Sequence, residues 1–174
     1  FDAHLDLAYL AVNGRDMEAP LDVEAGPHSP AAVTLRSLQD GAVAMALGTI
    51  FTERDGSGPE GYPGGDVERA FAVGRAQLEV YLTWRDRGLV TLDHFRALRH
   101  EVGTGEIRGG MGVSEVVPHA PEKTGSRPPK GPPLILGILI ENADPIRSPA
   151  ELPWWKERGI VAIGLAWAKS SRYA

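Results

Sequence analysis

His4 and Asp6 are the first residues of this chain whose types and spacing suit a chemical role. The short, mainly apolar run Phe1–Leu7 around them predicts a β-strand. Alternate side chains of a strand point to the same face, so the two would lie together, about 7 Å apart along the strand. An imidazole and a carboxylate side by side can bind a borderline divalent cation such as zinc. Because this pair is also common without a metal, the prediction needs a further ligand.

Glu141 is the candidate for that ligand. It follows the apolar run Leu134–Ile140 directly, and such a run is typical of a strand covered on both faces. A carboxylate at this position is costly unless it is solvated, paired or bound to a metal. In parallel α/β folds the carboxyl ends of the strands meet at one rim, where active sites collect. The sequence therefore predicts a site at this rim, although a simple exposed loop at Glu141 is the alternative.

Alternating strands and helices must position these residues. Thr34 and Asp66 are suited to cap two helices, one ending at Gly41 in left-handed geometry and one running to about Arg87 before Gly88. We expect loops at Ala8–Ser29 and Glu53–Gly65, and a third helix near Asp93–His100. A fourth helix is predicted over Pro149–Arg158 and ends at Gly159. The predicted strands are Phe1–Leu7, Val43–Phe51, Leu134–Ile140 and Ile160–Leu165.

The composition limits the class of protein. The 174 residues predict one α/β domain, 1–174, interrupted by a long Gly/Pro-rich loop at about 103–133. A net charge of -5 argues against nucleic acid as a partner. Cysteine is absent, so a metal would be bound by histidine and carboxylate. No apolar run is long enough for a membrane span. We expect a cytoplasmic protein, although the first residue, Phe1, is compatible with a signal peptide having been removed.

Four separated stretches resemble the membrane dipeptidase (renal dipeptidase) family of zinc metallopeptidases. In chain order they are F-D-A-H-L-D-L, T-L-R-S-L-Q-D-G-A-V-A-M-A, L-G-I-L-I-E-N-A and G-I-V-A-I-G-L-A-W-A-K-S-S-R-Y-A. The resemblance covers most of the chain outside the long loop. It implies a (β/α)8 TIM-type barrel, with about its first half in this chain. The other half would come from another chain or a missing segment, and a homodimer is one such arrangement.

The resemblance also implies the chemistry. It implies two zinc ions, with His4 and Asp6 binding one and Glu141 bridging both as the catalytic carboxylate. The family hydrolyses small peptides, namely dipeptides, using a hydroxide held between the metals as the nucleophile. Trp167 stands where mammalian members have a substrate-contacting histidine, so its indole is expected to wall the substrate pocket. Asn142 and Ala143 replace two glycines that often follow the family's glutamate.

The sequence is compatible with three functions. The first is the zinc-dependent dipeptidase, and the second is another metal-dependent amidohydrolase acting on a lactam or an acylated amine. The third is a non-catalytic fragment or binding protein, since the second metal's ligands would come from strands beyond Ala174. We do not expect the other histidines to replace those ligands, because they lie in predicted loops or helices; they are His28, His94, His100 and His119.

Overall fold

The computed structural model describes residues 1–22, 32–93, 133–167 and 171–174. Within them a mixed α/β fold is built on a mostly parallel sheet. The strands of the main sheet are β1 (Asp2–Leu5), β2 (Met45–Ile50), β5 (Val90–Leu92), β6 (Leu134–Ile140) and β7 (Ile160–Ile163), and a small separate pair comprises β3 (Glu53–Arg54) and β4 (Gly61–Tyr62). The helices are α1 (Leu7–Val12), α2 (Leu35–Asp40), α3 (Val67–Asp86) and α4 (Leu152–Glu157), the last preceded by a 3-10 turn at Pro149–Glu151.

The strand β6 is the centre of the sheet. It pairs in parallel with β2 along its whole length, from Ile135 opposite Met45 to Ile140 opposite Ile50. On its other edge, β5 pairs with its first half and β7 with its second half. One face of β6 is completely buried in the main core, where α3 and α4 cover the sheet. The parallel α/β architecture predicted from the apolar runs is therefore confirmed at this level.

The two predicted helix caps are present. Thr34 accepts a hydrogen bond from the Ser37 amide, and the Ser37 hydroxyl closes a capping box by accepting from the Thr34 amide. Asp66 Oδ1 accepts from the Arg69 amide at the start of α3. Gly88, with a φ of +72°, follows the end of α3 as predicted. Gly41 also follows α2, but it has a φ of -80°, so the prediction of left-handed geometry there is wrong.

Several boundaries differ from the sequence-based expectations. The first strand ends at Leu5, and the predicted loop after it begins with α1, because Leu7 and Ala8 are buried against the sheet. The predicted loop Glu53–Gly65 contains β3 and β4, which are too short to show a hydrophobic period. The strand β5 was not predicted, and the last strand stops at Ile163. The expected helix at Asp93–His100 and the long loop at about 103–133 lie almost entirely outside the described residues.

Among the described residues, no helix combines the length and the apolar character needed to cross a membrane.

Candidate metal centre

His4 and Asp6 lie on either side of the end of β1. His4 is within the strand, whereas Asp6 is the residue that precedes α1. The Asp6 side chain makes no capping hydrogen bond to that helix. It accepts instead a hydrogen bond from the Thr49 hydroxyl of β2, with an oxygen–oxygen distance of 2.5 Å. The prediction that both residues are strand neighbours on one face is therefore wrong, and a turn of the chain brings the Asp6 carboxylate to the rim.

Glu141 is held at the same rim by its backbone. Its amide donates to the carbonyl of Ile50 at the end of β2, at 2.9 Å. On the other side, Gly164 after β7 donates its amide to the carbonyl of Ile140. A Cβ atom at Gly164 would lie 2.4 Å from the Glu141 carbonyl oxygen, so only glycine permits this approach. The carboxyl ends of β2, β6 and β7 together fix the position of Glu141.

The three predicted ligands meet in space. One ligand atom from each of His4, Asp6 and Glu141 lies within 4.8 Å of the other two. His4 Nε2 is 2.9 Å from Glu141 Oε1, yet this buried oxygen receives no aligned hydrogen bond from a protein donor. The Glu141 side chain is 6% exposed and that of His4 is 55% exposed. The cluster is thus anchored on a buried carboxylate and opens to solvent at the imidazole.

The electrostatics of the cluster favour a positive charge. Burial raises the pKa of Glu141, and the nearby Asp6 carboxylate raises it further. Contacts with His4 and Thr49 act in the opposite direction without cancelling the increase. Two carboxylates and an imidazole are also a donor set that suits zinc. A cation bound among them would stabilise the ionised form of Glu141, which burial otherwise disfavours.

Trp167 lies beyond β7 and is 40% exposed. Its ring contacts that of Phe51, with centroids 5.4 Å apart, and Phe51 contacts Tyr9 at 5.0 Å. Tyr9 is in the first turn of α1, three residues after Asp6, and Phe51 directly follows β2. The sequence singled out Trp167 alone. The other two rings had no sequence signal, because their proximity depends on how the strands are ordered in the sheet.

Within the described ranges, His4, Asp6 and Glu141 are the only group of three such ligands. The four other histidines lie in residues that the structure does not describe. Asp144, which follows Glu141 by three residues, is occupied elsewhere: it accepts hydrogen bonds from the Tyr62 hydroxyl and the Arg172 amide. Thr49 was missed from the sequence, since a single threonine in an apolar run carries no signal for a contact with Asp6.

Comparison of the chain with protein-family models, with curated proteins and with solved structures gave no match.

Proposed function

We propose that this protein is a zinc-dependent hydrolase that cleaves the peptide bond of dipeptides. The observation that carries the proposal is the convergence of His4 and Asp6 with Glu141, which is 135 positions after Asp6, to within 4.8 Å. The three side chains come from two strand ends at the rim where α/β folds place their active sites. The resemblance of four stretches to the membrane dipeptidases supplies the finer reaction class.

The residues present fit a zinc ion. They offer one imidazole nitrogen and two carboxylates, and Glu141 Oε1 is buried without an aligned donor. A buried carboxylate oxygen in this condition is costly, and a bound cation removes that cost. His4 and Asp6 would hold the ion on the β1 side, and Glu141 would hold it from β6. The second zinc ion of the proposal needs ligands beyond this group.

A bound divalent cation supplies Lewis acidity and lowers the pKa of water, so neither a serine nor a cysteine nucleophile is required. The protein's own contribution is to position charge and substrate. Glu141, to which we assign the catalytic role, places a buried negative charge at the bottom of the cluster. Trp167 walls the substrate pocket with Phe51, where the indole N–H can donate one hydrogen bond.

The proposed architecture is a (β/α)8 barrel, of which this chain contributes about half. Two observations support it. Among the described residues β1 pairs with β2 alone, which leaves one edge of the sheet open. In addition, Ile135 and Leu139, on the second face of β6, are only half-buried, whereas parallel sheets have both faces covered. We propose that further strands, from another chain, a second copy or an additional segment, cover this face.

Two other functions make different use of the same cluster. Another amidohydrolase would act on a cyclic or acyl amide, since the cluster itself does not distinguish among amide bonds. A non-catalytic binding protein would bind metal or ligand without turnover. Its support is that the described residues supply ligands for one ion, whereas the dipeptidase mechanism uses two.

Calorimetric titration of the purified, chelator-treated protein with zinc, followed by assays on dipeptides, lactams and acyl amides, tests the proposal. We expect saturable zinc binding by this chain, and zinc-dependent hydrolysis of dipeptides when the strands that complete the barrel are present, both lost in Glu141→Gln. Zinc binding by that completed assembly without turnover of any amide would favour the binding protein. Turnover of the cyclic or acyl amides alone would favour the second candidate. Dipeptide hydrolysis that persists in the presence of chelator, or a failure to bind zinc, would refute the metal site.

A further inference from the structure

Thr49 is joined to the turn that carries Asp6 in two ways. Its hydroxyl donates to Asp6 Oδ1 at 2.5 Å. Its backbone carbonyl accepts a hydrogen bond from the Tyr81 hydroxyl of α3 at 2.9 Å, and the same hydroxyl accepts from the Ala8 amide at 3.3 Å. Asp6 and Ala8 lie on the two sides of the start of α1. The turn is therefore tied to one residue of β2 both by a side chain and through a bridging phenol.

The two Tyr81 contacts are buried, and the Thr49–Asp6 hydrogen bond is partly buried. Thr49 and Tyr81 are fully buried. The phenol ring crosses β2 at Gly48, where a Cβ atom would lie 2.7 Å from the tyrosine oxygen, so a side chain at this position would displace it. Hydrogen bonds in such an environment are strong and hold their groups in one orientation. Hence Asp6, although it lies in a turn outside the strand, does not have a turn residue's usual freedom.

A carboxylate bound by one hydroxyl has a preferred rotation. Thr49 occupies Oδ1 of Asp6, and the second oxygen remains for another partner. Groups that orient a metal ligand from behind raise metal affinity, since the ligand loses less rotational freedom when the ion binds. The Asp6 carboxylate also makes no bond to the helix it precedes, so no other contact within α1 competes for it.

We propose that Thr49 is a positioning residue for the metal site, whose hydroxyl sets the orientation in which Asp6 binds the cation. This inference rests on the proposed function, because it requires that the cluster binds metal. It assigns to β2 a role in a site whose ligands come from the ends of β1 and β6. The hydroxyl, and not the bulk of the side chain, is the feature that matters.

The test compares three variants by zinc titration and thermal unfolding of the metal-free protein. Thr49→Val keeps the shape and removes the hydroxyl, and we expect zinc affinity to fall about 10- to 100-fold. Thr49→Ser restores the hydroxyl and is expected to stay within about 3-fold of the unmodified protein. Thr91→Val makes the same chemical change at an exposed position of β5 and should leave the affinity unchanged. If Thr49→Val does not fold, Thr49→Ala replaces it in the comparison.

The outcomes separate this inference from the proposed function. If the unmodified protein binds no zinc, the proposed function fails first. If it binds zinc and the hydroxyl-free variant binds equally well, or if the serine variant fails to restore the affinity, the role of Thr49 is refuted. Tyr81→Phe adds a further check. It removes the phenol hydroxyl that bridges Thr49 and Ala8 but keeps the Thr49 hydroxyl that bonds Asp6. A loss of affinity in Tyr81→Phe as large as in Thr49→Val would assign the effect to general packing.

Discussion

Glu141 and Asp144 are two acidic residues, three positions apart, that differ in what surrounds them. They are equally buried, with 8% and 6% of their surfaces exposed. Asp144 is fully engaged: the Tyr62 hydroxyl donates to one oxygen at 2.5 Å and the Arg172 amide to the other at 2.8 Å. Glu141 has His4 beside it at 2.9 Å and an oxygen without an aligned donor.

The difference indicates distinct roles. A buried carboxylate with both oxygens hydrogen-bonded stabilises the fold by joining distant segments, here β4 and the residues after β7. A buried carboxylate with an oxygen that lacks an aligned donor costs stability, and a ligand bound to that oxygen offsets the cost. We therefore interpret Asp144 as structural and Glu141 as functional.

Glu141→Gln is expected to lower zinc affinity by at least about 100-fold, because it removes the anchoring negative charge. The matched change Asp144→Asn should keep zinc affinity within about 3-fold and instead lower the free energy of unfolding. Zinc titration and chemical denaturation of both variants measure the two effects. Equal effects of the two variants on zinc binding would remove the distinction between the two carboxylates.

His4→Ala is expected to lower zinc affinity about 10- to 100-fold through the loss of one ligand. The imidazole is 55% exposed, so little packing is lost, but the buried Glu141 carboxylate loses its neighbour, and the free energy of unfolding of the metal-free protein should fall by about 0.5–1.5 kcal/mol. Calorimetric titration and denaturation check both values. An unchanged zinc affinity would show that Asp6 and Glu141 bind the ion without the imidazole, contrary to the proposed ligand set.

Tyr62→Phe is expected to lower the free energy of unfolding by about 1.5–3 kcal/mol, since a hydrogen bond to a buried charged group is lost. Zinc affinity should not change. Tyr173→Phe is a less buried control: its hydroxyl donates to the uncharged Ile146 carbonyl at 2.6 Å and accepts from the exposed Arg172 guanidinium at 3.2 Å, and we expect a loss of about 0.5–1.5 kcal/mol. A smaller loss in Tyr62→Phe than in this control would contradict the structural role of Asp144.

Tyr62 also predicts a dependence on alkaline pH. Burial raises the pKa of its hydroxyl above the ordinary value of 10.0, and the hydrogen bond to Asp144 raises it further. The folded state then keeps a proton that the unfolded state releases, so this stabilisation is complete below about pH 10 and is lost as the pH rises. Between about pH 10 and pH 11, the free energy of unfolding should fall by up to about 1.4 kcal/mol more in the unmodified protein than in Tyr62→Phe. Denaturation curves of both proteins from pH 8 to 11 measure this difference. If the free energy of unfolding fell with pH equally in both, the prediction would be contradicted.

Local signals accounted for the elements that the sequence predicted well. Thr34 and Asp66 cap helices through contacts within three residues, and the apolar run of β6 reflects burial on the sheet. The helix α1 was missed because it is only six residues long and Asp6 does not cap it. The strand β5 has three residues, which is too few to show a period. These elements are held by packing against the sheet, which local patterns do not encode.

The candidate site also combines features readable from the sequence with contacts that only the fold creates. The types of His4, Asp6 and Glu141 and their positions at strand ends were readable from the sequence, but the reason given for placing His4 beside Asp6 was wrong. Asp6 reaches the rim through a turn that is held by Thr49, 43 positions away. The barrel and the metal ions stay predictions.

The sequence by itself determined the strands β2, β6 and β7, where the capped helices begin, and which three residues have the chemistry of metal ligands. These properties depend on residue type and short-range spacing. Only the tertiary structure decided that the three ligands meet, that Thr49 bonds to Asp6, and that Asp144 is paired with Tyr62 while Glu141 Oε1 lies beside His4 without an aligned donor. Such contacts join residues separated by 43 to 137 positions, and the parallel order of the strands brings them to one rim.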